Sequence, residues 1–316
     1  MARYYGKTWK AGSITALIFS LSLFYIFPSA LSSPPSREDS RRIPDFDGTS
    51  AFTFLYKQVE FGPRTAGSEG HKKAQDAYIA WFDTCGGIVR EQDFTAEIDG
   101  NKVEGTNIIA FFGPRSHYSS LVIAAPYDSA PYSYSENDII SQPVPGANDN
   151  ASGVSVILEL SRLFAIHPPK ASVEFVLFDC SVQSPLPTNQ NIGSQYYATN
   201  HSGRSPDGLI LLSGIGDQTI NFLMDQMCWN YDREFVEEVF EKAIKLELPA
   251  FQKETITSIR GDHIPLIQAG LPACLIYDHE YEYRLTQQDT PAACSSQSLQ
   301  QVGDLLVDLI YKGWEE

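Results

Sequence analysis

The sequence predicts an α/β domain, a mostly parallel twisted sheet sandwiched between helices. Two observations carry that fold class. Short, nearly continuous apolar segments, EGTNIIAFFG, SSLVIAAPYD, ASVEFVLFD, DGLILLSGIG and PACLIYD, read as strands buried on both faces. Segments with apolar residues three and four apart alternate with them, the order of a parallel sheet with helical crossovers. At 316 residues, with 43% hydrophobic and 12% aromatic content, the chain is large enough for one sizeable core.

Taken in order, residues 1–32 predict a signal peptide or membrane anchor. Arg3, Lys7 and Lys10 precede an uncharged apolar run of 17 residues from Ala11 to Phe27, and the small and polar residues of PSALSSPPSREDSRR follow. The run sits at the short edge of what spans a bilayer, so cleavage and anchoring both stay open. Export is expected, to a secreted, periplasmic or anchored form that meets a membrane only through this segment. Residues 33–49 read as a linker and residues 50–316 as the folded domain. Helices are expected over Ser50–Val59 and Ser68–Phe82, the second stopped by Gly86 and Gly87, with the loop FGPRTAGSEG between them. Further helices are expected in ASGVSVILELSRLFAI, REFVEEVFEKAIKLEL, DHIPLIQAG and SSQSLQQVGDLLVDLIYKGW.

The balance of 39 acidic and 23 basic residues, a formal net charge of −16, opposes nucleic acid and anionic membrane surfaces. Five cysteines, Cys85, Cys180, Cys228, Cys274 and Cys294, stand without C-x-x-C spacing, so they signal neither a zinc knuckle nor a dense disulfide framework.

Open α/β sheets bind ligands beyond the carboxyl ends of their strands. Those ends are Pro126-Tyr127-Asp128, Asp179-Cys180-Ser181-Val182, Ser213-Gly214 and Tyr277-Asp278-His279-Glu280. The loop VPGANDNASG joins them at a helix start, where Asp149 or Asn150 is positioned to cap. No G-x-S-x-G elbow is present, and no histidine stands as a base beside Ser181, which argues against a serine hydrolase.

FGPRTAGS, APYDS, GANDNASG, LFDCSV, GSQYYA, RGDHIPLIQAG and RLTQQDTP occur in this order from Phe61 onward. Together they resemble metallopeptidase family 28, the zinc-dependent aminopeptidases and glutaminyl-peptide cyclotransferases, and the cyclotransferase side is the closer likeness. The resemblance implies a zinc ion held by Asp, Glu and His, with a neighbouring Glu moving the proton. In cyclotransferases an N-terminal glutamine closes to pyroglutamate with loss of ammonia; the peptidases add a second zinc through the His of HYD. Carried across residue by residue, the ligand Asp is Asp149, and Asp262 matches a carboxylate used near the substrate amine. The catalytic Glu falls on Ser181, the ligand Glu on Val182, the final ligand His on Leu285, the HYD histidine on Pro126 and a further Asp on Ser213. Val182, Leu285 and Pro126 carry no side-chain donor, while a catalytic zinc takes about three.

The expectation is therefore an exported, inactive relative with no cofactor, a pseudoenzyme in which Asp149 and Asp262 are remnants and binding of a peptide or protein partner is the role. The alternative is an active zinc-dependent cyclotransferase or aminopeptidase whose metal site has been rearranged, with Cys180, His279 and Glu280 as replacement ligands; a small buried thiol and a solvated histidine is the simpler reading of Cys180 and His279. Structural roles are expected for Asp149 and Asp262 as helix caps and for Asp128 as a turn residue. Arg64 and Arg260 are expected to pair with surface carboxylates. Tyr132, Tyr134, Tyr277, Tyr281 and Tyr283 fall in loops at the same edge, where ordinary loop packing is expected and a recognition surface is the alternative.

Overall fold

The computed structural model describes residues 43–114, 121–135, 138–186, 190–201 and 205–313. The predicted signal or anchor, and most of the predicted linker, lie outside the described residues. Among the described residues no helix is long and apolar enough to cross a membrane.

Helix α1 (Gly48–Glu60) starts where the Asp47 carboxylate accepts from the amides of Thr49 and Ser50, and α2 (Glu69–Thr84) where Ser68 accepts from His71. A hairpin follows, β1 (Ile88–Ile98) and β2 (Asn101–Phe112). Then come β3 (Leu121–Pro126), two short strands β4 (Ser133–Ser135) and β5 (Asp138–Ile140), and helix α3 (Gly153–Ile166). After β6 (Val173–Phe178) the chain runs through α4 (Ile192–Asn200), β7 (Gly208–Ser213), β8 (Phe222–Asp225), α5 (Gln226–Tyr231) and α6 (Arg233–Lys245). It ends with β9 (Phe251–Ile256), α7 (His263–Gln268), β10 (Ala273–Tyr277) and α8 (Ser296–Lys312).

Six strands form the central sheet in the order β1-β2-β6-β3-β7-β10, and β6, β3, β7 and β10 run parallel. Strands β3 and β6 are buried at every residue, as their unbroken apolar runs predict for strands covered on both faces. Helices flank the sheet: α1 packs on α3 and α8, and α4 packs on α7. The expected strands and helices are all present. Unread in the sequence were β1, a largely exposed edge strand, the pairs β4–β5 and β8–β9 outside the main sheet, and helices α4 and α5.

The register brings the strand ends level. Pro126 pairs with Phe178 and Tyr277 with Ser213, so the loops after β3, β6, β7 and β10 open at one edge. Gly193 at the start of α4 fixes the loop after β6, because a Cβ there would lie 2.3 Å from the Asp179 carbonyl oxygen and 2.4 Å from Asn107 Oδ1. The variant Gly193→Ala is expected to lose about 1–3 kcal/mol from this overpacking. A urea midpoint equal to that of the unmodified chain would contradict it.

Candidate functional site

The seven positions singled out from the sequence converge. Pro126, Asp149, Ser181, Val182, Ser213, Asp262 and Leu285 all line one pocket at the carboxyl edge of the sheet, with a volume of about 40 Å³. Pro126 and Ser213 close β3 and β7, Asp262 precedes α7, and Ser181 and Val182 follow β6. Asp149 sits in an irregular helical turn, Ala147–Ser152, whose backbone leaves helical geometry at Asp149 and Asn150. Asp289 of the QDTP segment holds that turn: its carboxylate accepts from Asn148 N at 2.7 Å, Asp149 N at 3.2 Å and the Tyr281 hydroxyl at 2.8 Å. No sequence signal distinguished Asp289 from an ordinary turn residue.

Arg284 enters this pocket from the loop after β10. Its Nε donates to Asp149 Oδ2 at 3.2 Å, and its guanidinium carbon lies 5.5 Å from the Tyr277 ring centre. Ser213 Oγ lies 3.5 Å from the other Asp149 oxygen. Burial works against the Arg284 charge, but Asp149 outweighs it and holds the guanidinium above its ordinary pKa. Val182 and Leu285 pack against Ala130, Tyr132 and Val144, so an apolar cluster stands beside the ion pair. Asp262 is buried and accepts from Ser194 Oγ at 2.6 Å; burial above all pushes its carboxyl up to about 7.

Further back the loops are tied by buried polar groups. His71 Nε2 meets Asp179 Oδ1 at 2.9 Å, and Thr106 N donates to the other Asp179 oxygen. Asp128 accepts from Val182 N at 3.0 Å and Gln183 Nε2 at 2.6 Å. Burial, then the Asp179 charge, pushes Asp128 up to about 6, and burial pushes Asp289 up to about 7. Both values lie above those of the unfolded chain, so the folded protein holds more protons between about pH 4 and 7. Stability is full below the unfolded pKa and falls as pH rises through 6 and 7. Urea unfolding is expected to show the protein more stable at pH 5 than at pH 8 by at least about 1.4 kcal/mol, one pKa unit's worth. A flat or rising profile would count against these buried acids.

Residues 107–310 match Peptidase family M28. This chain belongs to peptidase family M28. An uncharacterized protein YfbL of Escherichia coli K12 is 31% identical over 288 residues, covering 82% of this chain and 86% of that protein. Aminopeptidase YwaD of Bacillus subtilis is 25% identical over 228 residues, which are 65% of this chain but 44% of YwaD. Among solved structures, a Zn-dependent exopeptidase from Parabacteroides distasonis superposes with a TM-score of 0.80 at 27% identity, over 85% of this chain and 99% of that one. A glutaminyl cyclase from Tannerella forsythia gives 0.79 at 27%, with the same coverage.

Within this M28 pocket the donor set is short. Asp149 and Asp262 are its carboxylates, and among the described residues no His, Cys or Glu lines it. The replacement ligands considered from the sequence do not assemble: Cys180 lies against Phe94 and Ile98 instead. It has φ 55°, the left-handed region that favours glycine, and it is not among the residues that line the pocket.

Several expectations for the M28 loops are corrected. Neither Asp149 nor Asn150 caps α3, and Asp262 makes no capping bond to α7, because each carboxylate or amide is engaged elsewhere. Asp128 is a buried acceptor, not a turn residue at the surface. Arg64 is fully buried and donates to the carbonyl oxygens of Tyr127, Pro145 and Gly146. Arg260 has no ion pair among the described residues and lines both the pocket and a neighbouring groove. Tyr132 and Tyr281 are buried in loop packing, but Tyr277 is the buried last residue of β10 and Tyr134 is exposed in β4, not in loops as expected. All five cysteines are buried and free.

Proposed function

We propose that this M28 protein holds no zinc in its pocket, catalyses neither glutaminyl cyclisation nor aminopeptidolysis, and acts outside the cytoplasm by binding a peptide or protein segment. The observation that carries this reading is the Arg284–Asp149 ion pair. A cation of the chain itself neutralises the one carboxylate that matches a zinc ligand, and the positions around it supply an apolar cluster where a metal needs donors. Without a metal to polarise a carbonyl, and with Ser181 where a proton-carrying Glu is needed, neither reaction has its electrophile or its base.

Binding has a place to occur. The groove beside the pocket encloses about 490 Å³ and is lined by Gln190, Asn191, Gln195, Arg260 and Gln268, amides that pair with peptide backbone and a cation that accepts a carboxylate. The test is turnover of N-terminal glutaminyl peptides and of aminoacyl anilides by the full chain in added zinc. No turnover is expected. Zinc-dependent turnover that disappears in Asp149→Asn would overturn the reading. For binding, a library of acidic-ended peptides is expected to lose affinity about tenfold in Arg260→Ala, the loss of one charge-assisted contact.

A further inference from the structure

A second group of metal-ligating side chains lies away from this pocket. Asp225 ends β8, Cys228 stands in α5 and His263 opens α7, and one ligand atom from each falls within 4.8 Å of the others. All three are buried: His263 and Cys228 are 0% exposed and Asp225 is 1% exposed. We propose that Asp225, Cys228 and His263 form a divalent transition-metal site, suited to zinc, that pins α7 to β8 and α5.

Unmet hydrogen-bonding capacity is the observation that points to an ion. Both ring nitrogens of His263 lack a hydrogen-bond partner, and so does Asp225 Oδ2. The Nε2 to Asp225 Oδ1 distance is 3.6 Å, too long for a hydrogen bond. Orphaned buried polar atoms are costly, and a shared metal would satisfy one on His263 and one on Asp225. Asp225 Oδ1 is taken by the amides of Met227 and Cys228 and by Ser258 Oγ, which fixes the carboxylate and leaves Oδ2 free to bind. Zinc bonds of about 2.0–2.3 Å in a tetrahedron place ligand atoms roughly 3.3–3.7 Å apart, and His263 Nε2 already lies 3.6 Å from an Asp225 carboxylate oxygen.

One carboxylate, one thiolate and one imidazole is a donor set for zinc rather than for magnesium or calcium, which take oxygen. The thiol gives up its proton on binding, so loading releases one proton per ion. His279 is a further imidazole beside this group: its Nε2 also lacks a partner, and its charge acts on His263. The site has a structural consequence for the M28 pocket. Asp262 and Gly261 directly precede His263, so an ion there holds the segment that lines both pocket and groove.

The test measures metal in the full chain, expressed with zinc and purified without chelator, together with cobalt substitution. Near one ion per chain is expected, with a thiolate-to-cobalt charge-transfer band in the near ultraviolet. Cys228→Ser is expected to lose the band and most of the metal, and Asp149→Asn to keep both. Because Cys228→Ala or His263→Ala could fail to fold, the conservative Cys228→Ser is read alongside its circular dichroism, and cobalt titration of the unmodified chain stands as an independent measurement. No metal and no cobalt band in the unmodified chain would overturn this site while leaving the zinc-free pocket intact. Metal retained in Cys228→Ser but lost in Asp149→Asn would overturn both, placing the ion in the M28 pocket.

Discussion

The triple variant Ser181→Glu, Val182→Glu, Leu285→His is expected to gain no zinc while Arg284 remains, and the quadruple variant that adds Arg284→Ala is expected to carry one zinc per chain more than the unmodified protein. The triple variant restores the family's donors, but its ligand Asp149 is still bonded to a guanidinium. A zinc ion entering there would meet a positive charge already at contact distance from its carboxylate ligand, which is itself buried. The triple variant also places a carboxylate and an imidazole into the apolar contacts of Val182 and Leu285, and adds negative charge to the pocket that holds the already raised acid of Asp262. It is therefore expected to be less stable than the parent. Removing Arg284 takes away the cation bonded to Asp149 and frees that carboxylate for the metal. With zinc at about a thousand times its dissociation constant, the quadruple variant is expected to gain about 4 kcal/mol over its own metal-free form. Metal analysis and melting with and without zinc read both effects. Zinc uptake by the triple variant would show that Arg284 is no barrier; a folded quadruple variant that stays empty would show that the loops have moved beyond what ligand replacement repairs.

The second large effect is expected at Arg64. Arg64→Met is expected to cost about 3–5 kcal/mol, and Arg64→Lys less, since an ammonium cannot reach three divergent carbonyls at once. The guanidinium links Tyr127, Pro145 and Gly146, the two ends of the loop between β3 and the Asp149 turn, while its backbone amide donates to Ser129 Oγ. Its charge also acts on Asp128 and Asp289. Methionine keeps most of the volume, so the measured loss would report the stranded carbonyls and not a cavity. Urea unfolding checks it; a loss under about 1 kcal/mol would place Arg64 with ordinary surface arginines.

The sheet and main helices were legible because burial on both faces writes itself into the chain as unbroken apolar runs, as in Val173–Phe178. Strand β1 was not, since its residues are mostly solvent-facing and its pairing with β2 is made by backbone groups. The pocket positions were legible through short motifs that fix loop geometry. What occupies the pocket was not: Arg284 reaches Asp149 across 135 positions, and nothing local marks which way its side chain turns. Arg64 failed for the same reason, since an arginine after Gly-Pro looks like surface until three carbonyls are seen around it. Asp225, Cys228 and His263 are spread over three elements and have no ligand spacing to find.

The Arg284–Asp149 pair has a consequence for where such a protein can work. A zinc enzyme depends on the free zinc around it, and chelation or a metal-poor fluid silences it. A guanidinium tethered to the backbone is supplied with the chain, cannot be stripped away, and stays charged across any physiological acidity. On the reading proposed above, the electrostatic character of this pocket is set at translation. Where zinc runs short, a relative that works through zinc would lose its reactive centre, while the Arg284–Asp149 pair here would keep its charge.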